Sequence, residues 1–414
     1  MSNKKVYDAF EAVRIPEYRN LMTGRFIFIS ALRMMGTLTG WWIYNLTNDP
    51  FAIGLIGLSE VVPAVSFSLY AGHFIDKNEK RKLILTGVLL YLCCAILMVG
   101  LSWMELGNKM EHQSIAICIY IIIFFTGIIR AFTGPVFGVL VASIVPRETL
   151  QNASTWNQGI WLTASVTGHA IGGLLIAAVG NLFTLLIICI CIIISFFILV
   201  TLQPKPPIPS TTEKATWESV KEGIRFVLKT KEIMGALSLD LFAVLFGGAV
   251  ALIPVYARDI LQVGPQGFGW LNAAIDIGAI LMVILLTFIP MRQHHGYKLL
   301  FAVAGFGVCI IVFAVSDFYI LSFMALLIAG MLDGVSVVIR GTILQLKTPD
   351  DMRGRVMSVN SMFINSSNEL GQFESGMAAK LLGVRPSVVF GGCLTLLVVI
   401  ITWFKAPTLK KMEY

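Results

Sequence analysis

Long apolar runs alternate with short polar joints along the whole chain. Twelve runs reach about 20 mainly apolar residues, the length a helix needs to cross a hydrocarbon core. They lie near residues 22–46, 51–71, 83–103, 114–139, 153–178, 182–202, 234–256, 268–290, 297–315, 319–341, 356–379 and 386–404. Turn residues mark the joints Asn48-Asp49-Pro50, Gly180-Asn181 and Gly264-Pro265. The joints at 180–181 and 316–318 are short enough to make helical hairpins. None of the runs alternates with period two, as a lipid-facing barrel strand would. The pattern therefore predicts an all-α integral membrane protein with twelve transmembrane helices. Residues 6–20 read as a short interfacial amphipathic segment, and the polar first 20 residues do not read as a cleavable signal peptide.

Composition agrees. Of 414 residues, 57% are hydrophobic and only 13% charged, about half the usual share for a soluble chain. That excess of apolar surface needs lipid as its solvent, which excludes a soluble enzyme, a nucleic-acid-binding module and a disordered protein. The net charge of +7 matters less than its placement. With the N-terminus in the cytoplasm, 23 Lys and Arg residues fall on the inner side and four on the outer, with Arg25, Arg33, Arg130 and Arg340 inside runs. This asymmetry puts both termini in the cytoplasm. All seven cysteines lie within apolar runs and read as small packing residues. Five tryptophans near run ends, Trp41, Trp42, Trp103, Trp270 and Trp403, read as interfacial anchors.

The chain also repeats itself. A shift of 203 residues superposes Gly127 on Gly330, Gly138 on Gly341, Pro146 on Pro349, Asn157 on Asn360, Gly168 on Gly371 and Gly180 on Gly383. Between the copies lies a proline-rich, charged stretch, with an amphipathic segment from Trp217 to Lys231. The expected organisation is an N-terminal six-helix half, 1–202, a cytoplasmic linker, 203–233, and a C-terminal six-helix half, 234–414. Two such halves suit a transporter that rocks around a midplane site.

The joint after the second run reads Gly72-His73-Phe74-Ile75-Asp76-Lys77-Asn78-Glu79-Lys80-Arg81-Lys82. It resembles the signature loop of the major facilitator superfamily, with Glu79 where many members carry glycine. Val145 to Leu150, and Thr348 to Val356 running into Asn368-Glu369-Leu370-Gly371, resemble the enterobactin-exporter and drug–proton antiporter branch. The resemblance covers essentially the whole chain. It implies the major facilitator fold, proton-coupled efflux of a siderophore-like metabolite or a drug by alternating access, and residence in a bacterial inner membrane. It also implies a conformational latch of Gly72, Asp76, Arg353 and Arg355. Independently, Asp76 could cap the helix that starts near Arg355. The Lys77 to Lys82 cluster also has a plain reading as a topology-fixing basic patch.

Ionisable groups within apolar runs are the main functional signal, because each costs at least about 2.5–3.5 kcal/mol at a helix centre. Glu60, Glu369 and Asp333 are the proton-coupling candidates. Arg33, Arg130, Asn365 and Asn368 are the substrate-binding candidates, and Arg340 is expected to snorkel to the cytoplasmic end. Asp240, Asp276, Glu374, His169 and Gln372 also lie within runs. A plainer reading makes these groups fixed ion pairs, such as Arg33 with Glu60. No nucleotide-binding loop, zinc-protease motif or nucleophile elbow is present. The expectations are therefore no enzyme activity, no cofactor and no metal, with the proton gradient as driving force. The partners are a small molecule, the proton and the bilayer, without nucleic acid, and the chain is read as a monomer. An equilibrative carrier, a lipid flippase or a non-transporting sensor on the same fold stays open as the alternative.

Overall fold

The computed structural model describes residues 8–204, 216–289, 293–349 and 352–410. All regular structure among them is helical. α1 (Pro16–Thr47) starts with proline at its first turn and ends at Asn48, whose left-handed φ of 51° turns the chain. Asp49 then caps α2 (Pro50–Lys77), its carboxylate accepting from the Phe51 N–H at 3.0 Å. α3 (Lys80–Leu106), α4 (His112–Ile144) and α5 (Leu150–Val200) follow, and the linker carries α6 (Thr216–Lys229). α7 (Lys231–Phe246) stops at Gly247-Gly248. A 3₁₀ turn, the single turn α8 (Ile253–Val255) and a π-turn over Tyr256–Ile260 continue that crossing. α9 (Gly264–Phe288), α10 (His295–Val315), α11 (Tyr319–Lys347), α12 (Arg353–Leu382), α13 (Val384–Lys405) and the short α14 (Pro407–Lys410) complete the chain.

Ten of these segments are long and apolar enough to cross a membrane, against the twelve expected. Two elements account for the difference. α5 runs 51 residues, about 77 Å if straight, more than twice a hydrocarbon core. It breaks at Gly180, where φ is 76° and ψ −178°, into 150–179 and 181–200. α12 has ample length at 30 residues, but Asn360, Asn368, Glu369, Gln372 and Glu374 make it too polar. The joint at Gly383 repeats the Gly180 conformation with φ 90°. These two glycines stand 203 residues apart, at equivalent places in the repeat.

The N-terminal residues and two tryptophans correct the expectations. α1 already begins at Pro16, and the Ala12 N–H donates to Asn152 at 3.1 Å, so within residues 8–20 the expected interfacial segment is a turn packed on α5 that leads directly into α1. Trp42 is fully buried and its indole N–H donates to Glu105 at 2.7 Å. Trp41 is also buried and stacks on Phe268 of α9 at 5.7 Å. Both serve helix packing, while Trp103 remains 63% exposed, as an interfacial anchor would.

α2 packs on α4 and α12, α5 on α1 and α9, and α9 on α11. At two crossings the backbones approach closely. A Cβ built on Gly376 of α12 would stand 2.7 Å from the Gly54 Cα of α2, and one on Gly173 of α5 would stand 2.7 Å from the Gly269 Cα of α9. Gly173 and Gly376 are themselves 203 residues apart in the sequence. Small residues are what permit helix contact where lipid is the competing solvent.

Candidate functional site

Glycines decide which charged residues meet. Gly57 lies one turn before Glu60 on α2, and Gly127 one turn before Arg130 on α4. A Cβ on Gly127 would stand 2.5 Å from the Glu60 carbonyl oxygen, and one on Gly57 would stand 2.5 Å from that of Glu369 on α12. The three helices are thereby drawn together around Arg130. One guanidinium nitrogen of Arg130 lies 2.6 Å from a Glu60 oxygen and 2.9 Å from a Glu369 oxygen. The second Glu369 oxygen accepts from Gln372 at 3.2 Å. Glu369 is 7% exposed, and Tyr91 closes the site from α3 with its hydroxyl on the Thr126 carbonyl at 3.2 Å.

This arrangement unites Glu60, Glu369 and Arg130 from the two candidate sets, and it replaces the expected partner of Glu60. Glu60 pairs with Arg130, whereas Arg33 lies over the Trp161 ring at 5.1 Å. The glycine seats, rather than depth along a span, select the partner.

A second polar cluster joins α1, α5 and α9. Ser165 donates to Asp276 at 2.6 Å, and the His169 Nε2 lies 3.8 Å from the same carboxylate. The other ring nitrogen bonds the Thr37 hydroxyl at 2.8 Å. By the 203-residue shift, His169 corresponds to Gln372 and Asp333 to Arg130. Only the first cluster contains an arginine held between two carboxylates.

Arg340 does not snorkel. It is 4% exposed on α11 and pairs with Asp240 of α7, itself 7% exposed. Insertion of a whole arginine into the bundle is explained by this partner, which lies 100 residues upstream. Asp333 sits two turns before it on the same face and lines a cavity between α7, α10 and α11. Asn368 is exposed on α12.

Of the latch residues, the side chains of Asp76 and Arg353 lie outside the described residues, as do that of Asn365 and the surroundings of Gly72. Arg355 is described, and it holds Glu222 of α6 at 2.8 Å. The linker helix therefore docks on the start of α12 beside the expected latch. Among the described residues, no group of three or more His, Cys, Asp or Glu is arranged to hold a metal ion.

The many long, apolar helices, with charge clusters buried between them, define a multi-pass membrane protein. The model of the transmembrane secretion effector family matches residues 19–414, and the chain belongs to this family of the major facilitator superfamily. The chain is similar to the enterobactin exporter EntS of Shigella flexneri, at 26% identity over 342 residues, spanning 82% of this chain and 80% of that protein. The exporter of the same name from Escherichia coli O1:K1 / APEC matches to the same extent. Among solved structures, the fold is similar to a D-xylose–proton symporter, with a TM-score of 0.71 at 13% identity over 98% of this chain and 100% of that one. A bacterial homologue of the iron transporter ferroportin, in an inward-facing state, gives 0.69 at 14% identity over 94% of this chain and 99% of that one.

Proposed function

We propose that this protein is a secondary active exporter that expels a small organic molecule, a siderophore-like metabolite or a drug, in exchange for protons by alternating access. The observation that carries the reading is Arg130 held between Glu60 and Glu369. Two carboxylates and one guanidinium sum to −1, a charge that one proton cancels. A buried charge of this kind is expensive unless matched. Glu60 and Arg130 precede the linker and Glu369 follows it, so rocking of one half against the other would separate Glu369 from its partners. A carboxylate that gains and loses a cation during the cycle is what proton coupling requires. The similarity to enterobactin exporters supports an organic cargo and the export direction.

The same reading makes the chain two six-helix halves, 1–202 and 234–414, joined by the linker 203–233. It has twelve crossings, with α5 counted as two and α12 as a polar one. It places the chain as a monomer in a bacterial inner membrane, with both termini in the cytoplasm and no cofactor besides the gradient. The experiment is uptake of catecholate or drug probes into inverted vesicles, with and without an imposed pH gradient. Gradient-dependent uptake that Glu369→Gln abolishes supports the reading. Uptake that ignores the gradient in the wild type refutes proton coupling and leaves an equilibrative carrier.

A further inference from the structure

Hydroxyl protons decide the state of the second polar cluster. The Thr37 hydroxyl has one proton and donates it to the Arg33 carbonyl at 2.9 Å. Towards the His169 Nδ1, 2.8 Å away, the Thr37 oxygen is therefore an acceptor, and Nδ1 carries the proton of the neutral ring. Nε2 is left as a bare lone pair, 3.8 Å from Asp276 Oδ2. Ser165 already donates its own hydroxyl proton to Asp276, at 2.6 Å. Two acceptors thus face each other with no proton between them. The gap exceeds a hydrogen bond, yet it is too short for a water in line, which needs about 5.5 Å between the outer atoms. Packing fixes this placement: a Cβ on Gly269, two turns before Asp276 on α9, would stand 2.6 Å from the His169 carbonyl oxygen of α5. Asp276 follows the linker in sequence, whereas Thr37, Ser165 and His169 all precede it. The charged groups that act on the pair are Arg33 of α1 and Asp333 of α11, opposite in sign.

We infer that Asp276 and His169 form a second proton-binding site, distinct from Arg130 and its two carboxylates. The bound proton lies between Oδ2 and Nε2 and turns two facing lone pairs into one hydrogen bond. That bond joins the helices before the linker to those after it. Binding takes one proton from water and changes the pair from −1 to neutral; release returns the proton to water and leaves two acceptors that no longer hold each other. Rocking of the halves would part Asp276 from all three partners at once, which ties proton affinity to conformation. Under the exchange reading above, on which this count alone rests, the cycle moves two protons, one at each cluster.

The test is magnetic resonance of the purified full-length protein in detergent, with nitrogen-15 in the histidine rings and carbon-13 at the aspartate Cγ, from about pH 4 to 9. His169→Gln and Asp276→Asn assign the two signals. The expected result is a His169 ring protonated at Nδ1 at the high-pH end, and one common midpoint for the His169 Nε2 and Asp276 Cγ shifts. Asp276→Asn should weaken proton binding by the imidazole about tenfold, because the facing anion is gone. Ser165→Ala should strengthen proton binding by the pair severalfold, because the carboxylate loses a donor. If Asp276→Asn fails to fold, Thr37→Val decides: it should move the high-pH ring proton from Nδ1 to Nε2. A wild-type ring protonated at Nε2, the lack of a common midpoint, or signals indifferent to these variants overturns the site. Gradient-driven uptake in vesicles is measured separately, and Glu369→Gln should leave this titration in place. Failure of proton coupling and failure of this site are thereby told apart.

Discussion

Gly57 of α2 is seated against the backbone carbonyl of Glu369 on α12, so closely that a methyl group there would meet the oxygen at 2.5 Å. Glu369 is therefore held by its backbone as well as by Arg130. Gly57→Ala should force α2 and α12 apart, at a cost of about 1–3 kcal/mol typical of overpacking. Thermal unfolding in detergent checks this, with Gly36→Ala as a control because that glycine has open space around it.

Removing the shared cation should be worse than removing either anion. Arg130→Ala leaves the buried Glu369 carboxylate beside that of the half-buried Glu60, and breaking a fully buried pair costs about 3–5 kcal/mol, the upper bound here. Adding Glu369→Gln to Arg130→Ala should recover part of the loss. A double mutant no more stable than Arg130→Ala alone would show that the carboxylates do not depend on the arginine.

Asp240 and Arg340 form a pair whose predicted role is structural. Arg340→Ala should lower stability by about 3–5 kcal/mol. Asp240→Asn combined with Arg340→Gln should restore most of it, together with the gradient dependence of uptake. Melting curves and vesicle uptake on the same preparations test both statements.

Gly180 and Gly383 adopt the same left-handed corner in the two copies of the repeat. Replacing either with alanine should cost about 1–3 kcal/mol, because positive φ with extended ψ is open essentially to glycine alone. Unequal effects, with one position indifferent, would argue that only one corner is structurally required.

Much of this architecture is legible in the sequence, for definite reasons. Lipid demands runs of apolar residues, so helix positions follow from hydropathy, and the 203-residue register already pairs Gly180 with Gly383. The ionisable residues inside runs are equally visible, since each is costly there. Their partners are not. Arg33 and Glu60 share a depth in neighbouring spans, yet Arg130 takes Glu60 because Gly127 brings α4 onto α2. Trp42 reads as an interfacial anchor from its place near a run end, but Glu105 draws its N–H into the bundle. Such choices depend on crossing geometry between residues far apart in the chain, which periodicity does not encode.

The spacing of the buried ion pairs has a consequence for synthesis. Asp240 precedes Arg340 by 100 residues, so at about 5–20 residues per second its helix waits about 5–20 s for the matching charge. Glu60 waits for only 70 residues until Arg130, whereas Glu369 emerges 239 residues after that arginine. The early pair can form while the chain is still growing. α7 must instead be sheltered, by the insertion machinery or by earlier helices, until α11 arrives. Assembly of the second group of helices is thus bound to be late and concerted, and a chain truncated before residue 340 would leave Asp240 in the bilayer without its counter-charge.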